Sequence, residues 1–370
     1  MIRKRHSADM IFGLLEEYGV KKPLLVCDSS FPYLRLSEDF QNCPVPYVVF
    51  SQFTSNPLYE DVCKGVELFR KEGCDAVIAV GGGSSIDVAK CIKLYSTMNP
   101  EFCYLEQPLI QNHVLLIAVP TTAGTGSEST RYAVIYYQGA KQSVSSLAAI
   151  PDVAVLDADV LDTLPIYQKK CTMMDALCQG IESWWSGNSN EESRRLSQQA
   201  VRQILDAMEG YLKGNSKAAE VMLEAANLAG QAINITQTTA AHAMSYKITS
   251  LFGLPHGRAV AVCLPFVWKY MLEHPEKCAD PRRWTYLENI FREIAGEIGC
   301  EDVLKAPGKM YAMIHELFRD EVTENFSMQE LESLVRAVNP VRLKNSPVFF
   351  DETGIREIYG KILQKTGISG

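Results

Sequence analysis

Short apolar runs and helix-like segments alternate along the first 157 residues of the chain. Each apolar run is closed by Gly, Pro, Ser or Asp, as is typical of buried strands. The segments between the runs are amphipathic, for example NPLYEDVCKGVELFRKEG. This alternation predicts a parallel sheet whose two faces are covered by helices. The predicted strands are PLLVCD, PYVVF, DAVIAVGGG, HVLLIAVPTT and DVAVLD.

The pattern changes from about residue 159 onward. Segments such as NEESRRLSQQAVRQILDAMEGYLKG and SKAAEVMLEAANLAGQAINITQ have a helical period and few strand signals. We therefore predict two domains, an α/β domain with a parallel sheet over residues 1–158 and an all-helical domain over residues 159–370.

Composition and charge exclude several classes of protein. The 370 residues carry a formal charge of −8 and no long cluster of Lys or Arg, so the chain lacks a basic stripe for nucleic acid. No stretch approaches the ~18 uninterrupted apolar residues of a membrane span. The 11 cysteines are scattered singly, which argues against a zinc ribbon or a disulfide framework. We expect a cytoplasmic protein that binds neither nucleic acid nor a membrane.

The clearest motif is DAVIAVGGGSSIDVAKCIKLY, a buried strand that ends in glycines and continues as a helix. Gly81, Gly82 and Gly83 allow the backbone to approach a ligand closely. Ser84 is predicted to cap the helix, with Asp87 in capping-box position. Because a strand, a glycine turn and a helix N-terminus together form an anion site, the motif predicts phosphate binding. A tight turn that binds nothing is the alternative, and the motif is not the GxGxxG fingerprint.

A second loop, in VLLIAVPTTAGTGSEST, also leaves a buried strand and offers the hydroxyls of Thr121, Thr122, Thr125 and Ser127. Two such loops on one sheet favour a dinucleotide over a single phosphate. Asp28, at the end of PLLVCD, could accept hydrogen bonds from an adenosine ribose. Its carboxylate favours NAD, while the two serines that follow it leave NADP open; a simple turn aspartate is the alternative.

The C-terminal part holds candidate metal ligands. Asp175 and Gln179 are four residues apart and share one face of a predicted helix. His242 and His256 are too far apart to share an ion on one unbroken helix, but the GLP sequence between them interrupts the helix and lets His256 fold back. Imidazoles and a carboxylate suit a divalent transition metal that acts as a Lewis acid. Taken singly, a histidine is more often structural, and the two histidines around a helix break together with the earlier Asp175–Gln179 pair favour the metal.

Four motifs stand in the order and spacing of one family. GGGSSIDVAK, PTTAGTGSE, DALCQGIES and HAMSYKITSLFGLPHG resemble the iron-containing alcohol dehydrogenase family, over nearly the whole chain. The resemblance implies a dehydroquinate synthase-like fold and an NAD(P)-dependent alcohol dehydrogenase or aldehyde reductase with a divalent metal, Fe²⁺ or Zn²⁺. It places the cofactor pyrophosphate on Gly81, Gly82, Gly83, Ser84 and Asp87, and the rest of the cofactor along Thr121, Thr122, Thr125, Ser127 and Lys141.

The same resemblance implies three metal ligands, Asp175, His242 and His256. The fourth ligand of the family is usually histidine, and this chain has Gln179 in its place. Because an amide oxygen is a poorer donor than imidazole, we expect weaker binding, a harder ion or water in the fourth place. A further family histidine is replaced by Tyr246, which could hold or relay a proton although its ordinary pKa of about 10 makes it a reluctant base.

The implied chemistry is polarisation of a carbonyl oxygen by the metal, hydride transfer from nicotinamide, and protonation by water or Tyr246. DALCQ, HAMSYKIT and PHG resemble the branch that contains phosphonoacetaldehyde reductases, so the predicted reaction is reduction of phosphonoacetaldehyde to 2-hydroxyethylphosphonate in phosphonate biosynthesis. A small anionic aldehyde or alcohol needs cations near the metal, for which Lys247 and Arg258 are the candidates. Family members commonly form assemblies, so we expect a homodimer or a larger homo-oligomer.

Three alternatives stay open at this point. The substrate could be another small or sugar-acid alcohol or aldehyde. The fold also supports dehydroquinate synthase-like cyclases, which surround a phosphorylated sugar acid with several Lys and Arg, and no such cluster is evident here. A binding protein that has lost its metal through Gln179 is the third alternative, against which the intact glycine loops argue.

Overall fold

The structure is a computed structural model, and it describes residues 2–3, 8–321 and 327–366. No helix among these residues is both long enough and apolar enough to cross a membrane. The chain forms two compact units: Met1–Pro165 with Lys213–Gly230, and Ile166–Leu212 with Gln231–Gly370. The domain boundary predicted after residue 158 stays a prediction.

The first unit is built on a six-stranded sheet in which every pairing is parallel, in the order β1-β8-β5-β4-β2-β3. The predicted strands correspond to β2, β3, β4, β5 and β8. Because β4 and β5 are neighbours with Gly81 opposite Pro120, the two predicted phosphate loops leave adjacent strands at the same edge. The strands of the chain are β1 (Ile2–Arg3), β2 (Pro23–Cys27), β3 (Val48–Phe50), β4 (Ala76–Gly81), β5 (Leu115–Pro120), β6 (Tyr132–Tyr137), β7 (Ala140–Ser145) and β8 (Val153–Leu156).

Both faces of this sheet are buried, as the continuous apolar runs predicted. In β4, Val77 packs into one core with Val62, while its neighbour Ile78 packs into the opposite core with Ile11. Successive side chains of a strand point to opposite faces, so a strand that is buried on both faces must be apolar throughout. The helices of this unit before residue 165 are α1 (Ala8–Glu17), α2 (Arg35–Asp39), α3 (Tyr59–Lys71) and α4 (Gly83–Tyr95).

The sequence analysis did not predict the hairpin of β6 and β7. The two strands pair antiparallel, and Tyr137 and Ala140 flank a two-residue turn. Both turn residues, Gln138 and Gly139, have positive φ angles of 52° and 75°. Such angles are typical of the type I′ turn that matches the twist of a hairpin, so the Gln-Gly pair after the β-branched and aromatic run of β6 was the available signal.

The second unit is helical and contains no β-strand among its described residues. Its central helix α5 is buried over nearly all of its C-terminal half and packs against α6 and α9. The predicted fold class, a parallel α/β part followed by a helical part, is confirmed. The remaining helices are α5 (Ile166–Trp185), α6 (Glu191–Leu212), α7 (Ser216–Thr236), α8 (Ala240–Phe252), α9 (His256–Glu273), α10 (Trp284–Glu297), α11 (Ala306–Leu317), α12 (Leu331–Ala337), α13 (Pro340–Leu343) and α14 (Glu352–Thr366).

Candidate functional site

The glycine loop joins β4 directly to α4, which begins at Gly83 with Gly82 as its N-cap. No side chain caps this helix. The predicted cap by Ser84 is therefore wrong, because the Ser84 hydroxyl donates instead to the carbonyl oxygen of Ser55. The first amide groups of a helix have no acceptor within the helix, so an N-terminus without a side-chain cap suits an anionic ligand.

The second loop lies against the glycine loop. The Thr121 amide donates to the Gly81 carbonyl at 3.0 Å. A Cβ on Gly83 would come within 2.9–3.3 Å of the Thr125 side chain, so glycine is what allows this close approach. The structure thus brings the two predicted phosphate loops together. Among the four predicted hydroxyl residues, Thr122 and Thr125 are half-buried. Thr121 and Ser127 are buried.

Asp87 is half-buried and supports the second loop. Its Oδ1 accepts from the Ser127 hydroxyl at 2.6 Å, and its Oδ2 accepts from the Val134 amide at 2.9 Å. Burial raises the pKa of Asp87, and the charge of Lys90 acts against burial. Both oxygens of this carboxylate are therefore used by the protein itself, and its direct contact with a pyrophosphate stays a prediction.

Lys90 is a buried charged residue that the sequence analysis missed. Its ammonium group donates to the Ser127 hydroxyl at 3.0 Å and to the carbonyl oxygens of Thr130 and Tyr132 at 2.8 and 2.7 Å. Burial lowers the pKa of Lys90 to about 8, although Asp87 acts to raise it. A lysine one turn after Asp87 in the helix that follows the glycine loop was the signal. Together these groups hold the second loop on α4.

The other predicted cofactor residues are Asp28, directly after β2, and Lys141, within β7. Asp28 follows β2; its Oδ1 accepts from the Ser30 amide at 2.8 Å, and its Oδ2 accepts from the Ser85 hydroxyl at 3.0 Å. It therefore ties the end of β2 to the first turn of α4. Lys141 lies on β7, and its charge acts to lower the pKa of Asp87. Contact of either residue with a cofactor stays a prediction.

Three of the four predicted metal ligands meet in the second unit. Asp175 comes from α5, His242 from the first turn of α8, and His256 is the first residue of α9. One ligand atom from each lies within 4.8 Å of the other two. Asp175 Oδ1 is 3.3 Å from His242 Nε2 and 3.9 Å from His256 Nε2. Asp175 and His242 are buried, whereas His256 has 38% of its side chain exposed.

The helix break between the two histidines is present as predicted. α8 ends at Gly253, whose φ of 70° is left-handed, and α9 starts after Pro255. Gly257 then packs directly on α5. Only glycine allows this, because a Cβ at this position would overlap the Cys171 carbonyl oxygen and crowd Asp175. The PHG sequence therefore does two things: it starts a new helix and lets that helix approach the carboxylate ligand.

Glu182 is a buried residue of α5 that orients His242. It lies in the DALCQGIES motif, but no role was predicted for it. Its Oε2 contacts His242 Nδ1, which leaves Nε2 directed toward Asp175. Its Oε1 accepts from the Thr239 and Ala241 amides at 3.1 and 2.9 Å, at the start of α8. Burial acts to lower the pKa of His242, but Glu182 and Asp175 outweigh burial and raise it to about 9. A carboxylate behind a ligating imidazole is the usual outer partner in metal sites.

The donor set fits a divalent metal. Asp175 Oδ1 and His242 Nε2 are buried and make no hydrogen bond to any residue that the structure describes. A buried polar atom left in this condition costs about 1–3 kcal/mol, which coordination to a cation would offset. Two imidazoles and a carboxylate are donors that Fe²⁺ and Zn²⁺ accept. Gln179, also buried, acts with the histidines to lower the pKa of Asp175 against its burial, and ligation by Gln179 stays a prediction.

Tyr246 lies beside this cluster. Its ring stacks on the His256 ring with a centroid distance of 5.5 Å and an interplanar angle of 4°. Its hydroxyl oxygen accepts a hydrogen bond at 3.2 Å from Arg342 of α13. The sequence analysis did not single out Arg342, because nothing local connects it with a residue 96 positions away.

The two predicted substrate cations differ in their surroundings. Arg258 is held by the protein: it donates to the Tyr167 hydroxyl at 2.9 Å, and its guanidinium lies 5.7 and 5.2 Å from the ring centroids of Tyr167 and Phe318. Lys247 is half-buried, and its ammonium group makes no hydrogen bond or ion pair within the described parts of the chain. Of the two, Lys247 is thus the cation with no protein partner of its own.

Comparison with known families gives two matches that together span most of the chain. The model of the iron-containing alcohol dehydrogenase family matches residues 1–158. The model of the C-terminal part of the Fe-containing alcohol dehydrogenase family matches residues 170–361.

Individual relatives agree with these matches. The chain is 38% identical over 274 residues to "Probable alcohol dehydrogenase EutG" of Escherichia coli K12, which covers 72% of the chain and 63% of that protein, less than two thirds of its length. It is 34% identical to 1,3-propanediol dehydrogenase of Citrobacter freundii, with 71% of each covered. The crystal structure of sulfoacetaldehyde reductase from Bifidobacterium kashiwanohense in complex with NAD⁺ is similar at a TM-score of 0.85 and 26% identity, covering 98% of this chain and 96% of that one.

Proposed function

The chain belongs to the iron-containing alcohol dehydrogenase family, and we propose that it is a metal-dependent, NAD(P)H-linked alcohol and aldehyde oxidoreductase. The observation that supports this most directly is the cluster of Asp175, His242 and His256, whose ligand atoms lie within 4.8 Å of one another. A chain with paired phosphate-type loops and such a cluster has the two binding functions that metal-assisted hydride transfer requires.

Each part of the machinery has a role in this proposal. A bound divalent ion would supply Lewis-acid polarisation of a carbonyl oxygen, and a bound nicotinamide would supply the hydride. Asp175 provides negative charge to the ion, while Glu182 keeps the His242 ring in the orientation that presents Nε2. Tyr246, stacked on His256, is the proposed proton donor to the carbonyl oxygen of the substrate.

The pair of loops would bind the dinucleotide. The uncapped N-terminus of α4 offers backbone amides to the pyrophosphate, and the half-buried hydroxyls of Thr122 and Thr125 lie on the adjoining loop. Asp28 at the neighbouring strand end would accept from a ribose hydroxyl, which favours NAD over NADP. We also propose that the enzyme acts in the cytoplasm as a homodimer or larger homo-oligomer.

For the substrate we propose a small anionic aldehyde, with phosphonoacetaldehyde as the first compound to test. Two observations support an anion. Lys247 and Arg342, both near Tyr246 in the chain or in space, make no ion pair with a carboxylate among the described residues. The similar sulfoacetaldehyde reductase is named for an aldehyde that carries a sulfonate, a group of comparable shape and charge sign.

The test is NADH and NADPH oxidation with phosphonoacetaldehyde, measured on chelator-stripped protein before and after Fe²⁺ or Zn²⁺ is restored. We expect turnover that depends on metal. Propionaldehyde serves as the neutral comparison substrate for NAD(P)H oxidation, and 1,3-propanediol serves as the neutral substrate for the reverse reaction, in which NAD(P)⁺ is reduced. Turnover of only the neutral compounds would retain the oxidoreductase and refute the anionic substrate; absence of redox turnover with every metal and substrate would refute the oxidoreductase and favour the cyclase or binding-protein alternatives.

A further inference from the structure

Arg342 is a half-buried cation at the edge of the metal cluster. It lies in α13, between Pro340 and Leu343, and reaches Tyr246 of α8. Its Nη1 donates to the Tyr246 hydroxyl at 3.2 Å, and its guanidinium carbon lies 5.2 Å from the centre of the Tyr246 ring.

The positive charge of Arg342 is not balanced by a protein acid. Within residues 8–321 and 327–366, no carboxylate forms an ion pair with its guanidinium, and its remaining side-chain N–H groups make no hydrogen bond. Arg282, a half-buried arginine of the same unit, differs because it forms an ion pair with Asp280 at 2.6 Å. A partly desolvated guanidinium with free donors is suited to bind a tetrahedral oxyanion in bidentate fashion.

Two ring contacts set an upper limit on the distance between Arg342 and the metal cluster. Arg342 stacks over Tyr246, and Tyr246 stacks on the ligand His256, with ring centroids 5.5 Å apart. The distance from the guanidinium carbon to the centre of the His256 ring therefore cannot exceed the sum of these two distances. A two-carbon aldehyde with an anionic group at its far end is of the size that could engage both.

We propose that Arg342 forms an anion subsite beside the metal cluster, which binds the phosphonate or sulfonate group of a short aldehyde. The subsite determines specificity for charged over neutral aldehydes. Lys247, the residue after Tyr246, adds positive charge to α8, the helix that carries Tyr246. This inference rests on the proposed function for its chemistry, but its binding step can be measured without turnover.

A purely structural role for Arg342, in which it only anchors α13 or holds Tyr246, makes a different prediction. Loss of an anchor would lower activity toward charged and neutral aldehydes alike. Loss of an anion subsite would in addition raise KM for the charged aldehyde relative to KM for the neutral one.

The kinetic test compares Arg342→Met, Arg342→Lys and the control Arg336→Met, which removes an exposed arginine from α12. The substrates are phosphonoacetaldehyde and propionaldehyde, with the metal-loaded enzyme. We expect Arg342→Met to raise KM for phosphonoacetaldehyde by about 10- to 100-fold relative to KM for propionaldehyde, the range of one charge-assisted interaction, whereas any change in kcat that acts through Tyr246 should be the same for both aldehydes. Arg342→Lys should have a KM for phosphonoacetaldehyde between those of the natural chain and Arg342→Met, because lysine keeps the charge but loses the planar bidentate donor geometry of arginine.

The binding test uses methylphosphonate and calorimetry on the same metal-loaded proteins, with NAD⁺ present. We expect binding by the natural chain and by Arg336→Met, and at least about tenfold weaker binding by Arg342→Met. Equal binding by all three, or equal kinetic effects on both aldehydes, would overturn the subsite even if the enzyme is an active reductase. Arginine-dependent binding in a protein that reduces no aldehyde would retain the subsite and refute the proposed function instead.

Discussion

Two clusters of charged side chains are embedded in the two units, and they differ in how completely they are hydrogen bonded. In the first unit, the Lys90 ammonium group lies within hydrogen-bonding distance of four oxygens, and both oxygens of Asp87 accept hydrogen bonds. In the second unit, Asp175 Oδ1 and His242 Nε2 lie 3.3 Å apart, and neither makes a hydrogen bond to a described residue. The charged groups of the first cluster therefore have hydrogen-bond partners within the protein, whereas two ligand atoms of the second cluster have none among the described residues.

The difference separates a structural cluster from a ligand site. Buried polar groups cost free energy unless they are bonded, so a protein keeps incomplete bonding only where something else completes it. The Lys90 cluster stabilises a loop against a helix. The Asp175 cluster instead presents donor atoms that converge on one point, as a metal requires.

Removal of the lysine should destabilise the protein. Lys90→Met takes the donor away from the carbonyl oxygens of Thr130 and Tyr132 and the nearby positive charge away from the Asp87 carboxylate, which should lower the free energy of unfolding by about 3–5 kcal/mol. Urea unfolding followed by circular dichroism measures this. The control Lys217→Met, at an exposed position of α7, should stay within about 0.5 kcal/mol. If both variants behave alike, the Lys90 cluster is not structural.

Removal of the carboxylate ligand should abolish metal binding. Asp175→Asn takes away the one anionic donor of the cluster, so we expect metal affinity to fall by more than about 100-fold, beyond the loss typical of an outer partner. Metal content after dialysis, measured by mass spectrometry, reports it. Asp206→Asn, which neutralises an exposed acid of α6, is the matched control. Full metal occupancy in Asp175→Asn would place the metal elsewhere.

The outer carboxylate should matter less than the ligand. Glu182→Gln keeps the side-chain shape and loses the charge behind His242 Nδ1, so metal affinity should fall by about 10- to 100-fold. Competition with a chromogenic chelator provides the affinity. An unchanged affinity would mean that Glu182 serves only to bind the amides at the start of α8.

The smallest effect is expected at the unusual ligand position. Gln179→His restores the imidazole that the family usually has, and should tighten Zn²⁺ or Fe²⁺ binding by about tenfold because imidazole is the better donor. Gln179→Ala, measured by the same chelator competition, shows what the amide itself contributes. No change in either variant would show that the side chain at position 179 does not contact the metal.

Much of the fold could be predicted because it depends on neighbouring residues in the chain. Apolar runs closed by turn residues indicated five of the strands, and the glycines after β4 indicated a phosphate loop. The cap assigned to Ser84 failed because that hydroxyl bonds to Ser55, a residue of another segment. The hairpin of β6 and β7 was missed although its turn carried a usable Gln-Gly signal.

The candidate site divides in the same way. Asp175, His242 and His256 were found from residue type, helical spacing and a helix break, all of which are written locally in the sequence. Glu182 and Arg342 were not, since their importance comes from contacts with His242, 60 residues away, and Tyr246, 96 residues away. Sequence pattern by itself determined which elements form and which donors are available, because these follow from local sterics and periodicity. Only the tertiary structure decided which charges are satisfied and which stay available to a ligand, because hydrogen bonding and burial depend on neighbours that the chain order does not specify.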